Sequence, residues 1–196
     1  MASAKQSGSK SSGSKSAGSK SNGAARMDAI ALLKADHRAV LDMFEKYESA
    51  RSEDRKQKLA QQICRELIVH AQIEEEIFYP AVRGEIEDDI VQEAYVEHDG
   101  AKVLITELLN GSPAEEFYDA KVMVLGEEIK HHIKEEEKRT EGMFAQARQA
   151  GIDMQALGDQ LRMRKEELMA EMGELAPPPP MTRTFHAHIM QGDLPA

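Results

Sequence analysis

The 196-residue sequence has few of the residues that mark several common protein classes. It contains one cysteine, Cys64, no tryptophan and only 5% aromatic residues. A single cysteine excludes an internal disulfide framework and is typical of a reducing compartment, so we interpret Cys64 as a packing residue. No apolar run reaches the roughly 18 residues that a membrane span requires, and no apolar segment of a secretory signal is present. The sequence therefore predicts no membrane contact and a cytoplasmic location.

Common enzyme motifs are absent as well. No serine, threonine or cysteine lies beside a base in a pattern typical of a nucleophile. Three of the four glycines near the N-terminus belong to the repeats QSGSK, SSGSK and SAGSK, which lack the strand and the spacing of a phosphate-binding loop.

The first 26 residues differ in composition from the rest of the chain. They hold four lysines, one arginine and no acidic residue, and therefore carry a charge of +5. Such a Ser/Gly/Lys-rich segment cannot bury an apolar core, and we expect a disordered, solubilising tail. Because the total charge is -10, the remaining residues carry -15, which makes the folded part a poor nucleic-acid surface.

The rest of the chain has a helical pattern. Hydrophobic residues make up 41% of the sequence and recur with a period near 3.6, without the alternation of β-strands, which predicts an all-α fold. We expect four helices to form a bundle and a C-terminal helix to pack against its outside. The histidines 186 and 188 are expected in an unstructured segment after that helix. The predicted parts are a disordered tail at 1–26, a four-helix bundle at 27–150, an accessory helix at 151–175 and a Pro-rich flexible tail at 176–196. The predicted helices cover about 27–49, 53–82, 86–110, 114–150 and 154–172.

Each of the first four helical runs carries one histidine near the middle of its apolar stripe. Two of these histidines are followed four residues later, on the same helical face, by a glutamate. A buried charge without a partner costs several kcal/mol, so such residues need hydrogen bonds or a metal. Four histidines at equivalent depths favour a metal site in the bundle core over four separate hydrogen-bonded histidines. The candidate ligands are His37, His70, Glu74, His98, His132 and Glu136.

The fourth run offers a second pair with the same spacing, His131 with Glu135. That pair shares its face with charged residues such as Lys121, whereas His132 and Glu136 lie on the apolar stripe. We therefore favour His132 and Glu136 and keep His131 as a reserve ligand.

Two glutamate triplets, at 74–76 and 135–137, can each turn only one member towards the core. The other members are most simply a solvated face. Glu75 and Glu135 are candidates to accept a hydrogen bond from a ligand imidazole.

Five sequence motifs stand out: DHR at 36–38, HAQIEEEIFYP at 70–80, EHD at 97–99, HHIKEEE at 131–137 and LGDQLRMRK at 157–165. These motifs resemble those of the hemerythrin-like HHE cation-binding domains over roughly residues 27–175. The resemblance implies an up-down-up-down four-helix bundle that holds a non-haem di-iron centre, with the six candidate residues as its ligands. Family members bind dioxygen or nitric oxide, sense them, or handle iron and oxidative or nitrosative stress.

The sequence departs from this resemblance beside His98. The best-known oxygen-carrying members have a fifth histidine one turn from another, but here the neighbouring turns carry Ala94 and Lys102. Two octahedral irons need about twelve ligand positions, and the six residues with a bridging oxide or hydroxide leave about two open. This argues against simple reversible oxygen carriage and leaves room for a ligand on each iron. Tyr79 and Tyr95 are candidates to approach the site.

Three functions are compatible with these features. The first is a di-iron protein that binds dioxygen or nitric oxide for sensing, storage or stress protection. The second is a redox enzyme at the same irons, reducing peroxide or nitric oxide or delivering iron to damaged clusters. The third is a helical binding module, zinc-bound or metal-free, with an unknown protein partner.

Overall fold

The computed structural model describes residue 1 and residues 27–173 and 178–185. The predicted N-terminal tail beyond its first residue, and the histidines 186 and 188, lie outside the described residues. Within the described ranges there are seven α-helices and one π-helical segment, and no extended strand. The α-helices are α1 (Ala29–Ser49), α2 (Glu53–Ile73), α3 (Tyr79–Val82), α4 (Asp88–Asn110), α5 (Tyr118–Glu137), α6 (Met143–Gln149) and α7 (Met154–Met172), and the π-helical segment is Glu74–Phe78.

Helices α1, α2, α4 and α5 form the bundle. Around its axis, α1 contacts α2, α2 contacts α4, α4 contacts α5, and α5 returns to α1. Side-chain caps start the first two helices, because Asp28 accepts from the amide of Ala31 and Ser52 from that of Arg55. The connections are short, so neighbouring helices run antiparallel. The prediction of an all-α, up-down-up-down bundle is confirmed. Among the described helices, none combines the length and the apolar character of a membrane span.

Helix α7 lies on the outside of the bundle, against α1 and α2. Its apolar residues Leu157, Leu161 and Leu168 are buried. Gly158 permits the close approach, since a Cβ at this position would lie 2.6 Å from the backbone nitrogen of Ala29. The accessory helix therefore completes the core at the end of the bundle where α1 begins.

Among the described residues, the core consists of two apolar clusters. One includes Leu33, Phe78 and Leu161, and the other includes Phe44, Ile63 and Leu125. Cys64 is fully buried in the second cluster, as its interpretation as a packing residue requires, and burial raises the pKa of its thiol to about 12. The candidate histidines lie between the two clusters, where their helices pass from one to the other.

The fourth bundle helix is shorter than the sequence predicted. It ends at Glu137 rather than continuing to residue 150, and a turn leads into the separate helix α6. Gly142 lies against the end of α5, where an added Cβ would be 2.6 Å from the carbonyl oxygen of Glu136. The chain turns back here because Met143 and Phe144 are buried in the first apolar cluster. A straight helix would carry these two residues away from that cluster.

The second bundle helix changes its register at the π-helical segment. A helical period continued from His70 and Glu74 predicts that Ile77 and Ala81 face the core. In the structure Phe78 and Val82 are fully buried there, while Ile77 and Ala81 are only partly buried. A π-helical turn takes one more residue than an α-helical turn, so every following side chain moves to a new face. Two consecutive side chains at the start of the π-helical turn, and two at its end, can then face the core of the bundle.

Candidate metal centre

Six side chains form a polar layer between the two apolar clusters. All six candidate ligands are at most 8% exposed. They form two groups, each with ligand atoms within 4.8 Å of one another, and Glu74 is common to both. The groups are His37, His70, Glu74 and Glu136, and Glu74, His98 and His132.

The four imidazoles form two facing pairs. The Nε2 atoms of His37 and His70 are 3.1 Å apart, and those of His98 and His132 are 3.2 Å apart. Each pair combines histidines from two neighbouring helices. Two nitrogen donors thus converge at each end of the polar layer.

The two glutamates connect these pairs. Glu74 Oε2 lies 3.2 Å from His70 Nε2 and 3.4 Å from His98 Nε2. Glu136 lies 3.3 Å from His37 Nε2 through Oε2 and 3.6 Å from His132 Nε2 through Oε1. Each carboxylate therefore contacts one histidine of each pair, which is the arrangement required to bridge two cations.

The Nδ1 atoms of the same histidines face outward, each towards a further carboxylate. His132 Nδ1 is 2.7 Å from Glu97, His37 Nδ1 is 2.8 Å from Glu137, and His98 Nδ1 is 3.1 Å from Glu75. His70 Nδ1 is 3.6 Å from Asp36, which is beyond hydrogen-bond distance. A carboxylate at Nδ1 holds the proton on that atom and leaves Nε2 free as a ligand.

These four outer carboxylates form a ring around the bundle, with a hydrogen bond at three of the histidines and a longer contact of 3.6 Å at His70. Each carboxylate is adjacent in sequence to a candidate ligand of its own helix. It lies next to the Nδ1 atom of the candidate histidine on the next helix. The pairs in order are Asp36 with His70, Glu75 with His98, Glu97 with His132, and Glu137 with His37. Every helix therefore supplies an inner ligand and supports the ligand of its neighbour.

The sequence identified only part of this ring. It named Glu75 and Glu135 as candidate acceptors, and Glu75 does contact His98. Glu135 instead pairs with Lys138, while Glu137 contacts His37. The α-helical angle of about 100° per residue explains the difference, because Glu137 faces α1 and Glu135 does not.

The charges of the layer stabilise one another in the metal-free protein. Burial works to lower the pKa of His37, but the carboxylates of Glu136 and Glu137 outweigh burial and raise it to about 9. Burial also works to lower the pKa of His98, and Glu74 and Glu75 raise it to about 9. Burial works to raise the pKa of Glu136, yet His132 and His37 hold it at about 2. Protons on His37 and His98 thus balance the carboxylates where cations would otherwise do so.

Two carboxylate oxygens in the layer have no hydrogen-bond partner. Glu74 Oε1 and Glu136 Oε2 are buried and make no hydrogen bond within the described residues, although Glu136 Oε2 lies 3.3 Å from His37 Nε2 as an ion-pair contact. A buried polar atom left in this way costs about 1 to 3 kcal/mol. One cation bound at each histidine pair would provide a partner for both oxygens, so the donor set fits a metal.

Tyr79 is a further polar residue of the layer. Its hydroxyl lies 3.2 Å from both His98 Nε2 and Glu136 Oε1 and 3.5 Å from Glu74 Oε2, and its side chain is fully buried. Burial and the charges of Glu136 and Glu74 raise the pKa of this hydroxyl well above its usual value. The sequence left Tyr79 and Tyr95 open, and the register change in the π-helical segment explains why Tyr79 reaches the centre.

His131 lies apart from the two donor groups. Its side chain is 60% exposed, and its Nε2 is 3.5 Å from Glu97 Oε1. Among the described residues it belongs to neither metal-binding group.

A cavity of about 300 Å³ reaches the layer beside His132 and Glu136. Its outer lining includes Glu93 and Glu141, which are exposed, and Glu97, which is half-buried. The cavity gives small molecules and cations a route from solvent to the second histidine pair.

Comparisons with known proteins agree with the helical architecture. The family described as Hemerythrin HHE cation binding domain matches residues 28–144. A Nostoc sp. (strain PCC 7120) protein named DNA nickase is 28% identical over 106 residues, which are 54% of this chain and 30% of that protein. The chain therefore spans less than a third of this relative's length. A Mycobacterium kansasii hemerythrin HHE cation binding domain-containing protein has a crystal structure that matches with a TM-score of 0.61 and 21% identity, over 74% of this chain and 89% of that one. At this identity the likeness concerns the fold alone.

Proposed function

Because the chain belongs to the hemerythrin HHE cation-binding family, we propose that it holds two iron ions and binds dioxygen or nitric oxide, for sensing, storage or stress protection. The observation that supports this proposal most is the arrangement of the four imidazoles. They form two pairs, and Glu74 and Glu136 each contact one histidine of each pair. A mixed set of nitrogen and carboxylate donors suits iron. The ligands in this proposal are His37, His70, Glu74, His98, His132 and Glu136.

Tyr79 is proposed as an additional oxygen ligand on one side of the centre. The group of Glu74, His98 and His132 offers fewer donors than the other group, and the Tyr79 hydroxyl lies next to its His98. A cation held at this position would favour the ionised phenol and oppose the burial that raises the pKa of Tyr79.

A further nitrogen ligand beside His98 is not expected. Lys102, one turn away, donates to Glu75 at 2.6 Å and to Asp99 at 3.1 Å, so its ammonium group is already held by carboxylates. Ala94, on the preceding turn, has no donor. This supports the expectation of a ligand position left free for an external molecule.

The iron ions would supply redox chemistry and open coordination positions when bound. The residues of the chain contribute the remaining parts. The outer carboxylates fix the orientation of the imidazoles, the two apolar clusters exclude bulk water, and the cavity beside His132 admits a small neutral ligand. Since glutamates line this cavity, anions should enter it less readily than neutral molecules.

The activity in the name of the Nostoc relative is not proposed for this chain. The matched segment is 30% of that protein. The charge of -15 outside the first 26 residues also opposes close approach to a phosphate backbone.

The proposal can be tested by metal content and optical spectroscopy. The protein would be purified from iron-fed cells, reduced without air, and then exposed to dioxygen or to nitric oxide. We expect two irons per chain and a spectral change on exposure to either gas. Protein that contains no iron, or only zinc that iron cannot replace, would refute the proposal and support a helical binding module instead.

A further inference from the structure

A short segment beyond α7 lies against the bundle beside the candidate centre. The sequence predicts a flexible tail over 176–196, of which the structure describes residues 178–185. Within this segment Arg183 and Thr184 contact α4 and the π-helical segment. The backbone amides of Arg183 and Thr184 and the hydroxyl of Thr184 all donate to Asp99 Oδ2, the first and last at 2.7 Å. Asp99 is fully buried and directly follows His98 in the sequence.

The same segment contacts the outer carboxylate that supports His98. Arg183 Nε is 3.1 Å from Glu75 Oε2, and its guanidinium lies over the ring of Tyr95 at 5.8 Å. The other oxygen, Glu75 Oε1, accepts from His98 Nδ1 at 3.1 Å and from Lys102 at 2.6 Å. Both oxygens of Glu75 are therefore held, one of them by the segment.

We propose that residues 178–185 form a strap that positions His98 through Glu75 and thereby slows the release of the cation on the His98 side. Arg183 is the positioning residue, and Asp99 is the anchor that keeps it in place. The inference rests on the proposed function for the identity of the cations. It goes beyond that function by assigning a role to a segment outside the helices.

Two of the other three outer carboxylates have a lysine partner from the helices themselves, and Glu97 contacts His131 and His132 instead. Asp36 is 2.7 Å from Lys165 of α7, and Glu137 is 3.0 Å from Lys34 of α1. Among the described residues, Glu75 is the outer carboxylate whose cationic partners include one from the strap. Loss of the strap should therefore affect one side of the centre and leave the other unchanged.

The physical reason is the freedom of the Glu75 side chain. Without Arg183, Oε2 loses its ion pair and the carboxylate can rotate about its last torsion, which weakens the hydrogen bond that orients His98. Loss of a carboxylate that directly supports a ligand typically costs about 10- to 100-fold in metal affinity. Arg183 acts one contact further out, so we expect release from the His98 side to be about three- to tenfold faster without it.

The test compares full-length variants of three residues. Arg183→Gln removes the ion pair, and Thr184→Val removes one of the hydrogen bonds to Asp99. Arg164→Gln is the matched control, because Arg164 binds the neighbouring Glu76 at 2.7 Å but contacts no residue that supports a histidine. Ferrous protein with two irons per chain is mixed with an iron chelator, and the release of each ion is followed in time.

We expect Arg183→Gln to release one iron about three- to tenfold faster and the other at the wild-type rate. Thr184→Val should act in the same direction with a smaller effect, and Arg164→Gln should leave both rates unchanged. The strap is refuted if Arg183→Gln changes neither release rate. It is also refuted if Arg183→Gln and Thr184→Val accelerate the release of both ions equally, because the effect would then be a general loss of stability.

A second measurement separates this inference from the proposed function. In the metal-free protein, the Nδ1 proton of His98 should exchange with solvent faster in Arg183→Gln than in wild type or Arg164→Gln by nuclear magnetic resonance. If wild type binds no iron, the proposed function fails while this exchange measurement still decides the strap. Equal exchange in all three proteins would overturn the strap whatever the metal content.

Discussion

Replacement of Glu137 by glutamine tests the ring of outer carboxylates. Glu137 accepts a hydrogen bond from His37 Nδ1 at 2.8 Å. Glutamine keeps an oxygen acceptor at nearly the same position but removes the negative charge. The variant should therefore retain the fold and lose the electrostatic support for His37. Glu135→Gln is the matched control, since the two side chains have similar exposure, 28% for Glu137 and 30% for Glu135, and Glu135 pairs with Lys138 instead.

The size of the effect follows from the pKa of His37. Its rise from 6.5 to about 9 in the metal-free protein corresponds to about 3 kcal/mol of stabilisation of the protonated imidazole. Glu136, Glu137 and Glu74 all contribute to this rise, so we assign about 1 kcal/mol to Glu137. For a chain of this length, 1 kcal/mol lowers the unfolding midpoint by about 2 to 4 °C.

The raised pKa of His37 also determines at which pH the variant should be less stable than wild type. A histidine whose pKa is higher in the folded state stabilises the protein fully below its unfolded value of about 6.5, and this stabilisation is lost as the pH rises through the folded value. Metal-free Glu137→Gln should therefore be less stable than wild type at pH 6, and near pH 10 only the smaller loss of the ion pair with Lys34 should remain. In the iron-loaded protein the same change should weaken metal binding by about tenfold.

Thermal unfolding of wild type, Glu137→Gln and Glu135→Gln at both pH values measures these differences. We expect a pH-dependent difference for Glu137→Gln and none for Glu135→Gln. A deficit of Glu137→Gln that is equally large near pH 10, or the same pH dependence in Glu135→Gln, would refute the reasoning.

Further predictions concern the centre and the packing around it. Tyr79→Phe should keep the fold and two irons but lose the visible charge-transfer absorption of a ferric phenolate, and an unchanged ferric spectrum would exclude Tyr79 as a ligand. His132→Ala should lose iron with little loss of folding, while His131→Ala should retain it, because the His131 side chain is 60% exposed; equal losses would contradict the assignment. Gly158→Ala should destabilise the protein to denaturant by about 1 to 3 kcal/mol, because the added Cβ would lie 2.6 Å from the first backbone nitrogen of α1. Gly100→Ala has open space and should stabilise it by up to about 1 kcal/mol; the opposite order would refute this account of the packing.

The sequence predicted the centre of the molecule better than its surroundings. A period of 3.6 marks the helical face towards the core, so it selected four histidines and two glutamates that the structure brings together. The same period failed after Glu74, because the π-helical segment moves Phe78 and Tyr79 to the inner face. Nothing in the local pattern indicates where an α-helix takes up one extra residue.

The outer ring was difficult to predict for another reason. Its carboxylates face a neighbouring helix, so their partners depend on how the helices pack and not on spacing within one helix. The adjacent pairs Asp36–His37 and Glu97–His98 are a usable signal, since an acid next to a core ligand points towards the next helix. The contacts of Arg183 and Thr184 with α4 depend on long-range approach in the same way.

The most direct test of the metal centre is a crystal structure of the iron-loaded protein with anomalous diffraction data at the iron edge. We expect two anomalous peaks in the polar layer, one between His37 and His70 and one between His98 and His132, with Glu74 and Glu136 contacting both. A single peak, or iron only at the glutamates lining the outer cavity, would contradict the account.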